Sequence, residues 1–269
     1  MAGLAAAENV GMLLGPMLGG AIAAQLGLGS PFIALALLCF AGLLCVAWLP
    51  EAPRRKPDPA PGSPLPHPAA GIRWPLVWGL SARSWAAGFS IGMYDVIWAL
   101  FMLSLGASVW QITFSWTVFA IPSIVLSGVT GRLINRFGAG RLAVWGAALS
   151  AGLTLYYAAA RDPWFLIGVS LIEGFAVALS YPGQNALLVQ VAPEHQRGRA
   201  IGGISSLRTI GAMVAALVVP SLFQVSPTDC FALAAAVLTV GAIGLGLSLL
   251  ADEASQARRA ASAPDPGAR

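Results

Sequence analysis

Gly11-Met-Leu-Leu-Gly-Pro-Met-Leu-Gly-Gly20 decides the fold of this chain. Its form is G-x-x-x-G-P-x-x-G-G, set inside an apolar segment. Small residues at these spacings make one flat stripe of a helix and let a neighbouring backbone approach closely, as helices do in a bilayer. Pro16 removes a backbone donor and bends the helix. A bent helix with a small-residue face suits a rocking interface inside a membrane bundle. The rest of the chain fits that setting. Of its 269 residues 57% are hydrophobic and 10% charged, against about 25% charged in a soluble domain, and mean hydropathy is +0.77. The expected fold is all-α, a multi-pass transmembrane helical bundle. The net charge is +4, but the basic residues recur in short loops rather than in one patch. That pattern points to the lipid bilayer and away from nucleic acid. Cys39, Cys45 and Cys230 lie in apolar segments without close pairing, so neither a disulfide framework nor a metal site is expected.

A helix needs about 20 apolar residues to cross a bilayer. About eight segments qualify: 4–24, 31–49, 77–103, 110–131, 140–160, 164–188, 200–224 and 229–250. Turn signals separate them, among them Gly27-Leu-Gly-Ser-Pro31, Arg161-Asp-Pro163 and Ser226-Pro-Thr-Asp229. The stretch from Pro50 to Pro75 holds nine prolines and the run Arg54-Arg-Lys56, so it reads as an extended linker. The chain then divides into two helices over 1–50, a Pro-rich linker over 51–76, six helices over 77–250 and a disordered tail over 251–269. Arg54, Arg55, Lys56, Arg73 and Arg83 cluster around the linker; Arg132, Arg136 and Arg141 follow the fourth span; Arg197 and Arg199 precede the seventh; Arg258, Arg259 and Arg269 lie in the tail. The alternate loops hold only Arg161 as a basic residue. The positive-inside rule puts the linker and both termini in the cytoplasm, and the chain in the cell (inner) membrane.

The Gly11–Gly20 stretch resembles the antiporter motif on helix 5 of drug:proton exporters of the major facilitator superfamily. Gly131-Arg-Leu-Ile-Asn-Arg-Phe-Gly-Ala-Gly-Arg141 is similar to that family's G-x-L-x-D-R-x-G-R-R loop, with Asn135 in place of the Asp and Ala139-Gly140 in place of a basic pair. Two helices, a long cytoplasmic linker and six helices match helices 5–12 of the family. A shift of 200 residues places Gly3 on Gly203, Gly11 on Gly211 and Glu8 on Arg208, as parallel repeats would. Pro193-Glu-His-Gln-Arg-Gly-Arg199 resembles the family's loop before helix 11, a lead-in that the first copy lacks. The resemblance implies about four further helices upstream of Met1. It assigns Gly11, Gly15, Pro16, Gly19 and Gly20 to the interface between halves, and Gly131, Asn135, Arg136, Gly138 and Arg141 to a cytoplasmic gate loop.

Charges at membrane depth are costly and usually functional. Asp95 lies twelve residues beyond Arg83, about 18 Å along a helix. Glu173 lies eleven residues beyond Asp162, at similar depth. Both are candidates to exchange protons or to contact substrate; the competing reading is a structural hydrogen bond or a pair with Arg208. Arg208 itself either pairs with a carboxylate or snorkels to the cytoplasmic face. Tyr181-Pro-Gly-Gln-Asn185 interrupts the sixth span, placing Gln184 and Asn185 beside a cavity or at a plain kink. Tyr94, Trp98, Phe101, Trp110, Phe114, Trp116 and Phe119 line an aromatic pocket or face lipid.

No catalytic motif, P-loop or metal-binding pattern is present in the sequence, so neither an enzyme nor a cofactor is expected. The expected function is transport of small molecules by proton-coupled export through alternating access, with a small-molecule substrate and protons as partners. The alternative is a transport-inactive fragment or a membrane interaction protein that needs a separately encoded N-terminal half.

Overall fold

A computed structural model describes residues 2–27, 29–48, 73–191 and 197–261; the side chains of 2–10, 12, 13, 46, 197 and 259–261 lie outside that description. Every regular element among the described residues is helical: α1 (Ala2–Leu26), α2 (Ser30–Ala47), α3 (Trp74–Ser104), α4 (Val109–Ser127), α5 (Thr130–Phe137), α6 (Ala139–Tyr157), α7 (Pro163–Val191), α8 (Arg197–Val225) and α9 (Pro227–Ala261).

Local chemistry sets the ends. Pro75 occupies the first turn of α3, where its missing N–H costs nothing. Gly106, at φ +83°, turns the chain after α3. Ser108 then opens α4 with a reciprocal capping box: its Oγ accepts from the Gln111 N–H at 3.3 Å, and Gln111 Oε1 accepts from the Ser108 N–H at 2.8 Å. Pro16, Pro122, Pro182 and Pro220 all lie inside helices that continue past them, as prolines do where neighbouring helices hold the freed carbonyls.

Among the described residues α3, α4, α7, α8 and α9 are long and apolar enough to span a membrane, and α1 and α2 contribute the shorter apolar runs Leu14–Leu26 and Ser30–Cys45. The 19-residue α6 carries Arg141 in its first turn, which lowers its hydropathy. The eight expected spans therefore all fall on helices. Three details differ from the sequence reading. The stretch Thr130–Phe137, expected as a loop, forms the short helix α5, with Leu133, Ile134 and Phe137 apolar among Arg132, Asn135 and Arg136. The stretch 181–185 does not interrupt α7, which runs unbroken from Pro163 to Val191. And α9 stays helical through Ala261 where a disordered tail was expected from 251, because Asp252 on it is clamped by Arg73 and by Gln256 (2.8 Å). Residues 49–72 of the linker, 192–196 before α8 and 262–269 of the tail lie outside the described residues.

The bundle is built around α3. It packs on α8 on one side and on α9 on the other; α6 bridges α9 and α7, α7 packs on α4, and α1 lies against α4. In lipid, apolar burial drives no association between helices, so close backbone approach must do it. A methyl group added at Gly88 would overlap the Arg208 carbonyl, at Gly92 the Ala212 carbonyl, at Gly211 the Trp85 carbonyl, and at Gly146 the Ala176 carbonyl. One core surrounds Met93, Ile97, Met102, Tyr157 and Phe231. A second, nearer the start of α3, gathers Leu76, Leu80, Ala143 and Leu245.

Candidate functional site

Glu173 is the only charged residue of α7, and it is 4% exposed. Three helices converge on it. From α3, Tyr94 Oη donates to Glu173 Oε1 at 3.1 Å. From α6, Tyr157 Oη donates to Oε2 at 2.8 Å and Ser150 Oγ to Oε1 at 3.3 Å. Thr154 Oγ1 shares a hydrogen bond with Tyr94 Oη at 3.0 Å. Ser150, Thr154 and Tyr157 stand at i, i+4 and i+7 and so face one way from α6. Gly146, one turn earlier, lets α6 sit directly on α7 beside Ala176 and Ser180. Gly174 lets α4 approach from the other side, against the Phe119 carbonyl.

Next to the carboxylate lies a cavity of about 40 Å³ lined by Tyr94, Trp98, Ser115, Trp116, Phe119, Ser170 and Glu173. That volume holds water and is far below the ~300 Å³ of a small-molecule pocket. Trp98 Nε1 donates to Ser115 Oγ at 2.8 Å on its wall. The aromatic residues thus divide between the two readings. Tyr94, Trp98, Trp116 and Phe119 wall the cavity, Phe101 is buried against Phe231 (4.8 Å), and Trp110 is exposed and stacked on Phe114 (4.8 Å). Hydroxyl groups both donate and accept. The three hydroxyls on Glu173 can bond the carboxylate and the carboxylic acid alike, so a proton can come and go without dismantling the site.

Asp95 does not join this cluster. Tyr94 takes the inward position, and one residue further on a helix is turned by about 100°. Asp95 is exposed and forms no hydrogen bond or ion pair among the described residues. Arg208 pairs with neither carboxylate: Nη1 donates to Tyr181 Oη at 2.9 Å, and the guanidinium lies 5.6 Å from that ring. Gln184 and Asn185 part company. Gln184 is buried and donates to Ser84 Oγ at 2.5 Å, while Asn185 is exposed. In the loop motif, Gly138 takes φ +87° and joins α5 to α6. Arg136 lies over Phe137 at 5.4 Å. Gly131, Asn135 and Arg141 are exposed, without polar side-chain partners among the described residues. In the helix-5 motif, Gly11, Gly15 and Gly19 have no neighbour within 4 Å among the described residues, and Gly20 abuts Thr113 of α4.

Ser150 and Tyr157, which bond Glu173, were not singled out from the sequence, and neither were the roles of three charged residues. Arg83, counted there among the cytoplasmic basic residues, is 6% exposed. Its Nη2 donates to Ser180 Oγ at 3.2 Å, and its Nε and Nη1 have no partner among the described residues. Its position nine residues into a 31-residue apolar helix was the available signal. Arg73 and Asp252 form a two-pronged ion pair that ties the start of α3 to the end of α9, with Nε to Oδ1 at 2.7 Å. No spacing in the sequence links residues so far apart.

A family model described as Major Facilitator Superfamily matches residues 80–268. The chain is 33% identical over 94 residues to the "Multidrug resistance protein MdtH" of Klebsiella pneumoniae, covering 35% of this chain and 23% of that protein. It is 28% identical over 204 residues to the "Methylenomycin A resistance protein" of Streptomyces coelicolor, covering 70% of this chain and 41% of that protein. It is 24% identical over 153 residues to the "Uncharacterized MFS-type transporter Rv1250" of Mycobacterium tuberculosis, covering 54% and 25%. The matched part of the chain thus spans between 23% and 41% of the length of these curated relatives.

Proposed function

The chain belongs to the major facilitator superfamily, and we propose that it serves proton-coupled export of small molecules by alternating access. The two matched relatives named for drug or antibiotic resistance support export. The observation that carries coupling is Glu173: a lone carboxylate in an apolar helix, held by Tyr94, Tyr157 and Ser150 next to a water-sized cavity. In this reading Glu173 takes a proton from one side and yields it when substrate binds. Tyr94 and Tyr157 keep its geometry in both forms. In the same reading the Gly11–Gly20 helix belongs to the rocking surface between the two groups of helices, a role that the contact of Gly20 on α1 with Thr113 on α4 supports. Asp95, exposed on α3, contributes to the substrate path. Asn135 and Arg136 on α5, with Arg141 in the first turn of α6, serve as the cytoplasmic gate. The membrane is the inner one, with both termini cytoplasmic by charge distribution.

Efflux of a fluorescent cationic dye from an export-deficient bacterium tests this. Expression should lower dye accumulation, a protonophore should abolish the effect, and Glu173→Gln should remove it while Asp95→Asn reduces it in part. Unchanged efflux in Glu173→Gln would assign the carboxylate to structure alone.

A second reading has its own observation. Among the described residues Gly11, Gly15 and Gly19 meet nothing within 4 Å, and α2 exposes Phe32, Ile33, Leu37 and Leu38. These faces suit packing against a separately encoded N-terminal half. Dye export that appears only on co-expression of such a half would select this reading.

A further inference from the structure

A groove of about 1330 Å³ runs along the outer surface between α6 and α9, well away from Glu173. Its walls are apolar and its floor is made of small residues, Ala151 and Gly152 from α6 and Ala235 from α9 among them. Gly140 abuts Leu249, so the start of α6 and the end of α9 lie at the same end of the groove. At that end stand two opposite charges, Arg141 and Glu253. Both are exposed, and neither forms an ion pair or hydrogen bond among the described residues, with each other or with anything else. The opposite end, at Leu155, lies fourteen residues along α6 from Arg141, about 21 Å. One leaflet of the hydrocarbon core is about 15 Å deep.

We propose that this groove is a binding site for a zwitterionic phospholipid with a primary amine headgroup, one acyl chain lying on the alanine and glycine floor. Arg141 takes the phosphate, and Glu253 takes the ammonium group. The length of the groove admits a chain crossing its leaflet. The charges sit at one end only, where the headgroups of that leaflet lie. A plus–minus pair with no mutual contact matches a phosphate and an ammonium carried on one molecule. Phosphatidylglycerol carries the same phosphate for Arg141 but has no ammonium group to meet Glu253. A choline headgroup has no N–H to donate to it. A helix from a second copy would have to bring both countercharges to the same end.

Native mass spectrometry of the 269-residue chain, released from micelles holding equal amounts of phosphatidylethanolamine, phosphatidylcholine and phosphatidylglycerol, tests the assignment. Phosphatidylethanolamine should be retained about fivefold over each of the others, the ratio that one exposed charge pair supports. Glu253→Gln should erase the preference over phosphatidylcholine, and Arg141→Gln should lower retention of all three. Gly152→Leu fills the groove and should displace all three lipids; Ala148→Leu does the same from the neighbouring turn if that variant fails to fold. Equal retention of the headgroups, or preference for phosphatidylglycerol, would overturn the headgroup assignment. Lipid retention untouched by both leucine variants would overturn the groove. A lipid-free dimer lost on Gly152→Leu would hand the groove to a second copy of the chain.

Discussion

Gly11 and Gly211 are paired by the 200-residue shift of the sequence, yet they live in different surroundings. Gly211 on α8 lies against the backbone of Trp85 and Phe89 on α3, with no room for a methyl group, whereas Gly11 on α1 meets nothing within 4 Å among the described residues. The contrast extends to the groups they belong to. α3, α6, α7 and α9 cross at glycines and bury Met93, Leu166 and Phe231 completely. Among the described residues α1 touches the larger group through α4, and α2 rests on α1 alone. The G-x-x-x-G-P-x-x-G-G wording is thus a capacity for close approach, and only a neighbouring backbone turns that capacity into stability.

The largest effect should come from Gly88→Leu. Its side chain would displace the Arg208 backbone and separate α3 from α8, at a cost of about 3 kcal/mol or more. Thermal unfolding in detergent should show a collapsed transition, and a native-like transition would break the contrast at its strong end. Asp252→Ala comes next. It strands Arg73 and frees the end of α9, with an expected loss of about 2 kcal/mol for a half-buried charged pair. Limited proteolysis should then cut between 252 and 261 while the rest of the bundle resists. Tyr157→Phe removes one of the donors to Glu173 and should cost about 1 kcal/mol in stability. In the dye assay it should weaken export less than Glu173→Gln does, and equal loss would make Tyr157 part of the proton route itself. The smallest effect belongs to Gly15→Leu, within about 0.5 kcal/mol of the parent chain, because the added side chain enters open space. A large loss there would mean that the α1 stripe is covered by another copy. A loss that appears only when a separate N-terminal half is co-expressed would sharpen the contrast and name the cover.

Much of the fold was legible because lipid demands it. A segment crossing a bilayer must satisfy its own backbone and stay apolar, so length and hydropathy mark it directly. Thr130–Phe137 escaped that logic: its charged residues share a short amphipathic helix with Leu133, Ile134 and Phe137, and eight residues between two spans read equally well as a loop. Glu173 was legible as a charge at depth and Tyr94 as part of an aromatic cluster, but Ser150 and Tyr157 were not singled out, although their spacing on α6 sets them on one face. Asp95 looked equivalent by depth. Its neighbour Tyr94 occupies the inward face, and depth along a helix says nothing of direction around it. Arg83 was hidden by a positive-inside count that treats every basic residue near a loop as solvated.

What the sequence alone determined is the class: a membrane-spanning all-helical chain, its likeness to one transporter family and its two candidate intramembrane carboxylates, Asp95 and Glu173. These follow from composition and spacing, which a bilayer constrains residue by residue. Only the tertiary structure decided which carboxylate acquired hydroxyl partners, which glycines acquired neighbours, and that Arg73 meets Asp252 across 179 positions. Each of those depends on which faces of α3, α6, α7 and α9 turn toward one another. Helices in lipid settle that by mutual fit, and no single segment encodes it.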